Sequence, residues 1–152
     1  MMSPAGFEHG RIASRLCYCL EQFVRQRQLG VVTGAETGFH IAHRPDTVRA
    51  PDVGFVRNER VPAATVCGFF DGPPDLAVEV LSPDDRSAEV AAKVADWLAS
   101  GSTAVWLVDP AKRTVGIYRR ESPPRVLSAS DELDGQDVLP GFRLPVAEIF
   151  AR

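Results

Sequence analysis

A glutamate stands inside the most apolar strand that the sequence predicts. Residues 75–81 read Asp-Leu-Ala-Val-Glu-Val-Leu, and Ser82 and Pro83 end the run. A strand that is apolar on both faces is normally buried on both faces. An ionised carboxylate left unpaired there is strongly destabilising or takes up a proton. Glu79 therefore indicates a functional site on a central strand, a salt bridge to an arginine, or a strand end that is open to solvent.

The hydrophobic periodicity predicts helices that alternate with short strands. A helix of about five turns is predicted over residues 8–28, with Gly30 as its stop, and a second over residues 87–100, ended by Gly101. Short strands are predicted at residues 31–33, 38–42, 52–56, 75–81, 103–108, 115–119 and 125–128, and a final short helix at residues 145–150. Loops are predicted at residues 44–50 and over most of residues 57–74. This order predicts an α/β fold, bordering on α+β, with a central mixed β-sheet flanked by helices.

The size and charge of the chain limit its function classes. Its 152 residues correspond to a single domain, residues 1–152. A net charge of −3 argues against binding nucleic acid through an overall positive charge, so any such site must be local. The chain has neither a run of about 18 apolar residues nor a signal peptide, and its three cysteines form no CxxC pair. We therefore expect a cytoplasmic protein with reduced cysteines and no membrane segment.

Two further residues, Asp52 and Lys93, are candidates for the same site as Glu79. Asp52 follows a proline at the start of a predicted strand, which alone is a common turn pattern. Two carboxylates on adjacent strands can, however, share one divalent cation. Lys93 falls at the edge of the apolar stripe of the second helix, from which it can reach both carboxylates. The alternative for Lys93 is a surface pair with Glu89, contributing only about 0.3–0.5 kcal/mol.

Several blocks of this sequence resemble the Uma2 family of endonucleases, which has the PD-(D/E)XK restriction-endonuclease-like fold. These blocks are Pro-Asp at 51–52, Asp-Leu-Ala-Val-Glu-Val-Leu-Ser-Pro at 75–83, Lys93, Gly101, and Val-Trp-Leu-Val-Asp-Pro at 105–110. The resemblance extends from about Phe7 to Phe150. It implies that Asp52 and Glu79 are metal ligands and that the catalytic lysine is displaced to the following helix. Leu81 occupies the usual lysine position here, and Lys93 matches the displaced one.

The resemblance also implies a mechanism. Asp52, Glu79 and the backbone carbonyl of Val80 would hold Mg²⁺ or Mn²⁺, with Glu36 as a further acidic ligand. Lys93 would orient the attacking water and stabilise charge on the phosphate. The expected activity is that of a metal-dependent endonuclease that hydrolyses phosphodiester bonds. Members of the family carry a further segment before the block that matches residues 3–9, so we expect a shortened N-terminus.

Nucleic acid, with DNA expected first, is the partner that this interpretation requires. Arginines flanking the Asp52 strand could position its backbone, namely Arg44, Arg49, Arg57 and Arg60. A homodimer is expected, because both strands must be cut, through an exposed edge at residues 103–108 or 115–118. His40 and His43 are expected on a strand and a loop without cysteine partners, so no zinc site is predicted. His9 is either a surface or capping residue or a contributor to the site.

Two other functions remain compatible with the sequence. The first is a catalytically silent protein that keeps the nuclease fold as a binding or scaffold module, which the negative charge and the shortened N-terminus favour. The second is a small-molecule phosphohydrolase that uses the same site, although no glycine-rich phosphate loop supports it. The sequence does not distinguish DNA from RNA as substrate.

Overall fold

The computed structural model describes residues 4–152, so residues 1–3 of the predicted domain lie outside the described residues. Helices and strands follow one another as α1 (Phe7–Arg27), β1 (Gly30–Thr33), β2 (Phe39–His43), β3 (Asp46–Arg49), β4 (Val53–Arg57), β5 (Phe70–Asp71), β6 (Leu76–Val80), α2 (Ser87–Ser100), β7 (Ala104–Asp109), β8 (Thr114–Tyr118), β9 (Arg125–Leu127), β10 (Glu132–Asp134), β11 (Arg143–Pro145) and α3 (Val146–Phe150). A 3₁₀ turn at Asn58–Arg60 follows β4. Within residues 4–152, no helix has the length and apolar character needed to cross a membrane.

A six-stranded sheet in the order β1–β4–β6–β7–β8–β9 forms the centre of the fold. β6 and β7 are parallel and their other neighbours are antiparallel, so the sheet is mixed. Helix α1 covers one face, and α2 together with the small sheet β3–β2–β5 covers the other. The predicted α/β class, with a mixed sheet between helices, is therefore confirmed.

The side chains of β6 point alternately to the two faces of the sheet, and that of Glu79 points toward α2. Leu76, Val78 and Val80 pack in the cluster that contains α1, whereas Ala77 packs with Trp97 of α2. Since successive side chains of a strand point to opposite faces, Glu79 shares the face of Ala77. The whole strand is buried, as its apolar sequence predicts.

Two details of the predicted fold are wrong. The predicted loop at residues 44–50 contains β3. Residues 57–74 are mostly a loop, as predicted, with the two-residue strand β5 inside it. The strands proposed as a dimer edge are β7 and β8, and each has a neighbour on both sides. Their backbone groups are already paired, so they cannot pair with a second copy. The outer strands of the central sheet are β1 and β9.

Two of the four arginines expected to bind a nucleic-acid backbone are engaged elsewhere. Arg57 Nε and Arg60 Nη1 lie 3.2 and 3.1 Å from Asp75 Oδ1, and Asp75 is only 4% exposed. Arg57 ends β4 while Asp52 precedes it, so the two residues are separated by roughly 17 Å along the strand. Arg57 and Arg60 are therefore structural partners of Asp75, which corrects the prediction.

Replacement of Asp75 by alanine is expected to lower the free energy of unfolding by about 1–3 kcal/mol, because it removes a buried carboxylate that three donors share. These donors are the two guanidinium groups and the amide of Arg57, which is 2.8 Å from Asp75 Oδ2. Urea denaturation measures the loss. Asp137→Ala is the control: it breaks an ion pair with Arg119 whose carboxylate is 69% exposed, and should change the stability by at most about 1 kcal/mol. Equal losses in both variants would contradict the structural role of Asp75.

Candidate active site

Asp52 and Glu79 meet at one end of the central sheet. Val53 of β4 pairs with Val78 of β6 in an antiparallel register, which places the residue before β4 beside the residue after Val78. The backbone N–H of Val80 donates a hydrogen bond to Asp52 Oδ2 at 2.7 Å. The structure thus brings the two carboxylates together, as their placement on adjacent strands predicts.

Glu79 is a buried carboxyl whose surroundings favour its neutral form. It is 8% exposed, and its Oε2 accepts a hydrogen bond from Trp97 Nε1 at 2.9 Å. Burial raises the pKa of Glu79 to about 7; the Trp97 hydrogen bond opposes this shift, and the charge of Asp52 adds to it. No arginine or lysine forms a salt bridge with Glu79 within residues 4–152. The salt-bridge explanation of this residue therefore fails.

Lys93 lies on the solvent side of the same site. It is exposed on α2, one turn before Trp97, and its charge lowers the pKa of Glu79. The charge of Arg49, on β3, acts in the same direction while this side chain contacts Asp96. No ion pair between Lys93 and Glu89 forms among the described residues, so the surface-pair alternative has no support. Lys93 therefore shares the electrostatic environment of Glu79.

His9 also reaches the site, which the sequence left undecided. It lies in the first turn of α1, and its Nε2 is 3.2 Å from Asp52 Oδ2. The other ring nitrogen, Nδ1, is buried without a hydrogen-bond partner in the part of the chain that the structure describes. His9 and Asp52 line a cleft of about 760 Å³ between α1 and the turn after β1.

The remaining predicted ligand, Glu36, is not brought to the carboxylates. It is exposed in the turn after β1, with a left-handed φ of 67°. Its neighbours Gly34 and Ala35 line the cleft that contains Asp52, but Glu36 does not.

The donor set at this site suits a hard divalent cation. Asp52 and Glu79 each use one oxygen, Oδ2 and Oε2, in the hydrogen bonds described above. Their other oxygens, Oδ1 and Oε1, accept no hydrogen bond from residues 4–152. Carboxylate oxygens are the ligands that Mg²⁺ and Mn²⁺ prefer. A cation there would also compensate the charge that burial disfavours on Glu79, so the residues present fit such an ion.

Comparisons with known proteins identify the family and the fold. A family model named Uma2, described as "Putative restriction endonuclease", matches residues 1–147. Among solved structures, the chain is similar to one described as "a putative nuclease belonging to DUF820" from Anabaena variabilis ATCC 29413. The TM-score is 0.86 and the identity 22%, over 98% of this chain and 83% of that one, a likeness that shows the fold alone. No protein in the curated set matches the chain.

Proposed function

The chain belongs to the Uma2 family, and from this premise we propose that it is a metal-dependent endonuclease of the PD-(D/E)XK type that hydrolyses phosphodiester bonds, with DNA as the first substrate to test. The observation that carries the proposal is the burial of Glu79 beside Asp52. Burial raises the pKa of Glu79 to about 7, which disfavours its charge in the absence of a cation. Perturbed carboxyls of this kind cluster at functional sites.

Asp52, Glu79 and the carbonyl of Val80 would hold the Mg²⁺ or Mn²⁺ ion. The N–H and C=O of one strand residue point to the same side of the strand. Since the Val80 N–H points to Asp52, its carbonyl faces the same region. When bound, the ion supplies polarisation of the scissile phosphate and acidification of a bound water. Glu36 is not included in this set, because it is exposed and does not line the cleft that contains Asp52.

Lys93 would act on the phosphate and on the attacking water. Leu81, two residues after Glu79, cannot take this part because its side chain is apolar. The ammonium of Lys93 lies in the same electrostatic environment and is exposed to an incoming substrate. A positioned cation that stabilises charge developing in the transition state contributes about 10²–10³-fold to the rate.

The nucleic acid, the oligomeric state and the location complete the proposal. Of the four arginines considered, Arg49 is the one whose charge acts on Glu79, so we place the nucleic-acid backbone on that side of the site. We expect a homodimer, because a second copy allows both strands to be cut; sedimentation with and without DNA tests this. The described cysteines are free, which agrees with a cytoplasmic location.

Two measurements test the function. The first is calorimetric titration of the wild type and of Glu79→Ala with Mg²⁺ and Mn²⁺, and the second is a cleavage assay. Metal binding that is lost in the variant, together with cleavage of double-stranded DNA, single-stranded DNA or RNA, supports the nuclease. Nucleic-acid binding without cleavage in either metal would instead indicate the silent scaffold. Hydrolysis of nucleotides alone would indicate a small-molecule phosphohydrolase.

His9→Ala is expected to raise the Mg²⁺ concentration needed for half-maximal cleavage by about 10–100-fold. The imidazole contacts the Asp52 oxygen that also accepts the Val80 amide, so it fixes the orientation of that carboxylate. The rate at saturating Mg²⁺ should be largely retained, and so should the urea midpoint. His43→Ala, on the outer face of the small sheet, is the matched control and should leave the Mg²⁺ dependence unchanged. An equal change in the required Mg²⁺ concentration in both variants would show that His9 does not act at the site.

A further inference from the structure

A second group of metal-binding side chains lies on the small sheet β3–β2–β5. His40 and His43 of β2 and Asp71 of β5 each offer one ligand atom, and these atoms all lie within 4.8 Å of one another. His43 Nε2 is 3.0 Å from Asp71 Oδ1, and the two imidazole centroids are 4.0 Å apart. Asp46 of β3 holds the His40 ring through a contact of 3.2 Å with its Nε2.

An irregularity in β2 explains why the two histidines meet. Residues three apart in a regular strand point to opposite faces. In β2, however, His40 pairs with Val48 while Ala42 pairs with Thr47, so two steps on β2 correspond to one on β3. The extra residue of this β-bulge turns His43 to the face of His40. Asp71 then joins them because β5 pairs in parallel with β2, with His40 opposite Asp71.

The chemistry of this group differs from that of the Asp52 and Glu79 site. Two imidazoles with one carboxylate favour borderline transition ions such as Zn²⁺ over Mg²⁺. Donor atoms around a tetrahedral zinc ion lie about 3.3 Å apart, given bonds of about 2.0–2.1 Å. The side chains of His43 and Asp71 are 62% and 82% exposed, so both are free to close the remaining distance.

The two sites lie on different faces of the small sheet. Phe39 is fully buried and packs edge-on against Trp97, the residue that contacts Glu79. Because His40 follows Phe39 in the same strand, its side chain points away from that core. An ion at His40 therefore has no ligand in common with the candidate active site.

We propose that His40, His43 and Asp71 form a binding site for a divalent transition ion, with Zn²⁺ as the representative, and that Asp46 orients His40. The ion joins the β2–β3 hairpin to residues 61–72. Without the ion, that segment is attached to β2 through a strand of only two residues, the backbone bonds Phe70 N–H to Gly38 O and Gly72 N–H to His40 O, and the contact of the Phe70 ring with Phe39. The site is a structural clamp, and it does not depend on the proposed nuclease function.

Zinc titration of the full, metal-free chain by calorimetry tests the site. In Asp52→Asn, in which the acidic site is disabled, we expect one Zn²⁺ per chain, with affinity at least about tenfold weaker when His43→Ala or Asp71→Asn is added. Asp52→Asn and His9→Ala are the matched controls, since they alter the other site and should keep zinc binding. His43 is exposed, so His43→Ala should leave the urea midpoint of the metal-free protein unchanged.

Hydrogen exchange provides a readout of the clamp itself. Zn²⁺ is expected to slow amide exchange in residues 61–72 of the wild type and to have no such effect in His43→Ala. The proposal is overturned if the wild type binds no zinc, if adding His43→Ala to Asp52→Asn leaves the zinc affinity unchanged, or if Asp52→Asn abolishes binding. The last result would assign the zinc to the acidic site. Neither zinc binding nor hydrogen exchange depends on cleavage with Mg²⁺, so failure of this proposal can be distinguished from failure of the nuclease proposal.

Discussion

Glu79→Gln is expected to abolish cleavage and, at the same time, to stabilise the metal-free protein at neutral and alkaline pH. The glutamine oxygen can still accept the hydrogen bond of Trp97 Nε1, so the packing is preserved. The substitution removes the negative charge that a divalent cation requires. Loss of even an outer partner of a metal ligand typically costs 10–100-fold, so we expect a fall in cleavage of at least about 100-fold.

The stabilisation follows from the pKa of Glu79. Burial, chiefly, raises this pKa from 4.5 to about 7, so between these values the folded state binds more protons than the unfolded state. The free energy of unfolding therefore falls as the pH rises from about 4.5 to about 7. Above pH 7 the folded state carries the full cost of ionising the buried Glu79 carboxyl. At 1.36 kcal/mol for each pH unit, the penalty is about 3 kcal/mol. A neutral glutamine avoids it, so the variant should be more stable than the wild type at pH 8 and close to it at pH 4.5.

Urea denaturation in a chelator at these two pH values measures the effect. Glu89→Gln, which neutralises an exposed carboxylate on α2, is the matched control and should change the stability little at either pH. Added Mg²⁺ should raise the unfolding midpoint of the wild type and not that of Glu79→Gln. If Glu79→Gln were less stable than the wild type at pH 8, Glu79 would be a structural ion-pair partner and the metal-site proposal would lose its main support.

The meeting of Asp52 and Glu79 could be predicted because it depends on local patterns. Asp52 stands directly before one apolar strand and Glu79 near the end of another, and antiparallel pairing of these strands places the two residues side by side. Trp97, on the apolar stripe of α2, is fully buried. Its hydrogen bond to Glu79 was not predicted, because the pattern of α2 specifies which face is buried and not which atom the indole N–H meets.

His9 and the His40 cluster could not be predicted for a different reason. The contact of His9 with Asp52 joins residues 43 positions apart, and nothing near either residue indicates it. The bulge in β2 depends on its pairing with β3, a strand of four residues of which three are polar, so its sequence does not predict a strand. Strand order is likewise a property of the whole sheet, so β7 was mistaken for an edge although it is a central strand.

Lys93→Ala is expected to lower the rate of cleavage at saturating metal by about 10²–10³-fold while divalent-metal binding persists. The ammonium is not among the oxygen donors that hold the ion, so its loss removes transition-state stabilisation and leaves the carboxylates in place. Its charge also lowers the pKa of Glu79. In the variant this pKa should therefore rise above its wild-type value of about 7, and metal binding should require a higher pH.

The chain offers a matched control, because Lys112 is its other lysine. Lys112 lies between β7 and β8, and its charge has no part in the pKa shift of Glu79. Lys112→Ala should thus keep both cleavage and the pH dependence of metal binding. Lys93→Arg should restore the Glu79 pKa but not the full rate, since a planar guanidinium cannot present a proton to the water as a compact ammonium does. Single-turnover cleavage and calorimetry across pH 6–9 separate these effects. Full activity in Lys93→Ala would exclude this lysine from catalysis. The assignment of a displaced catalytic lysine on α2 would then be wrong.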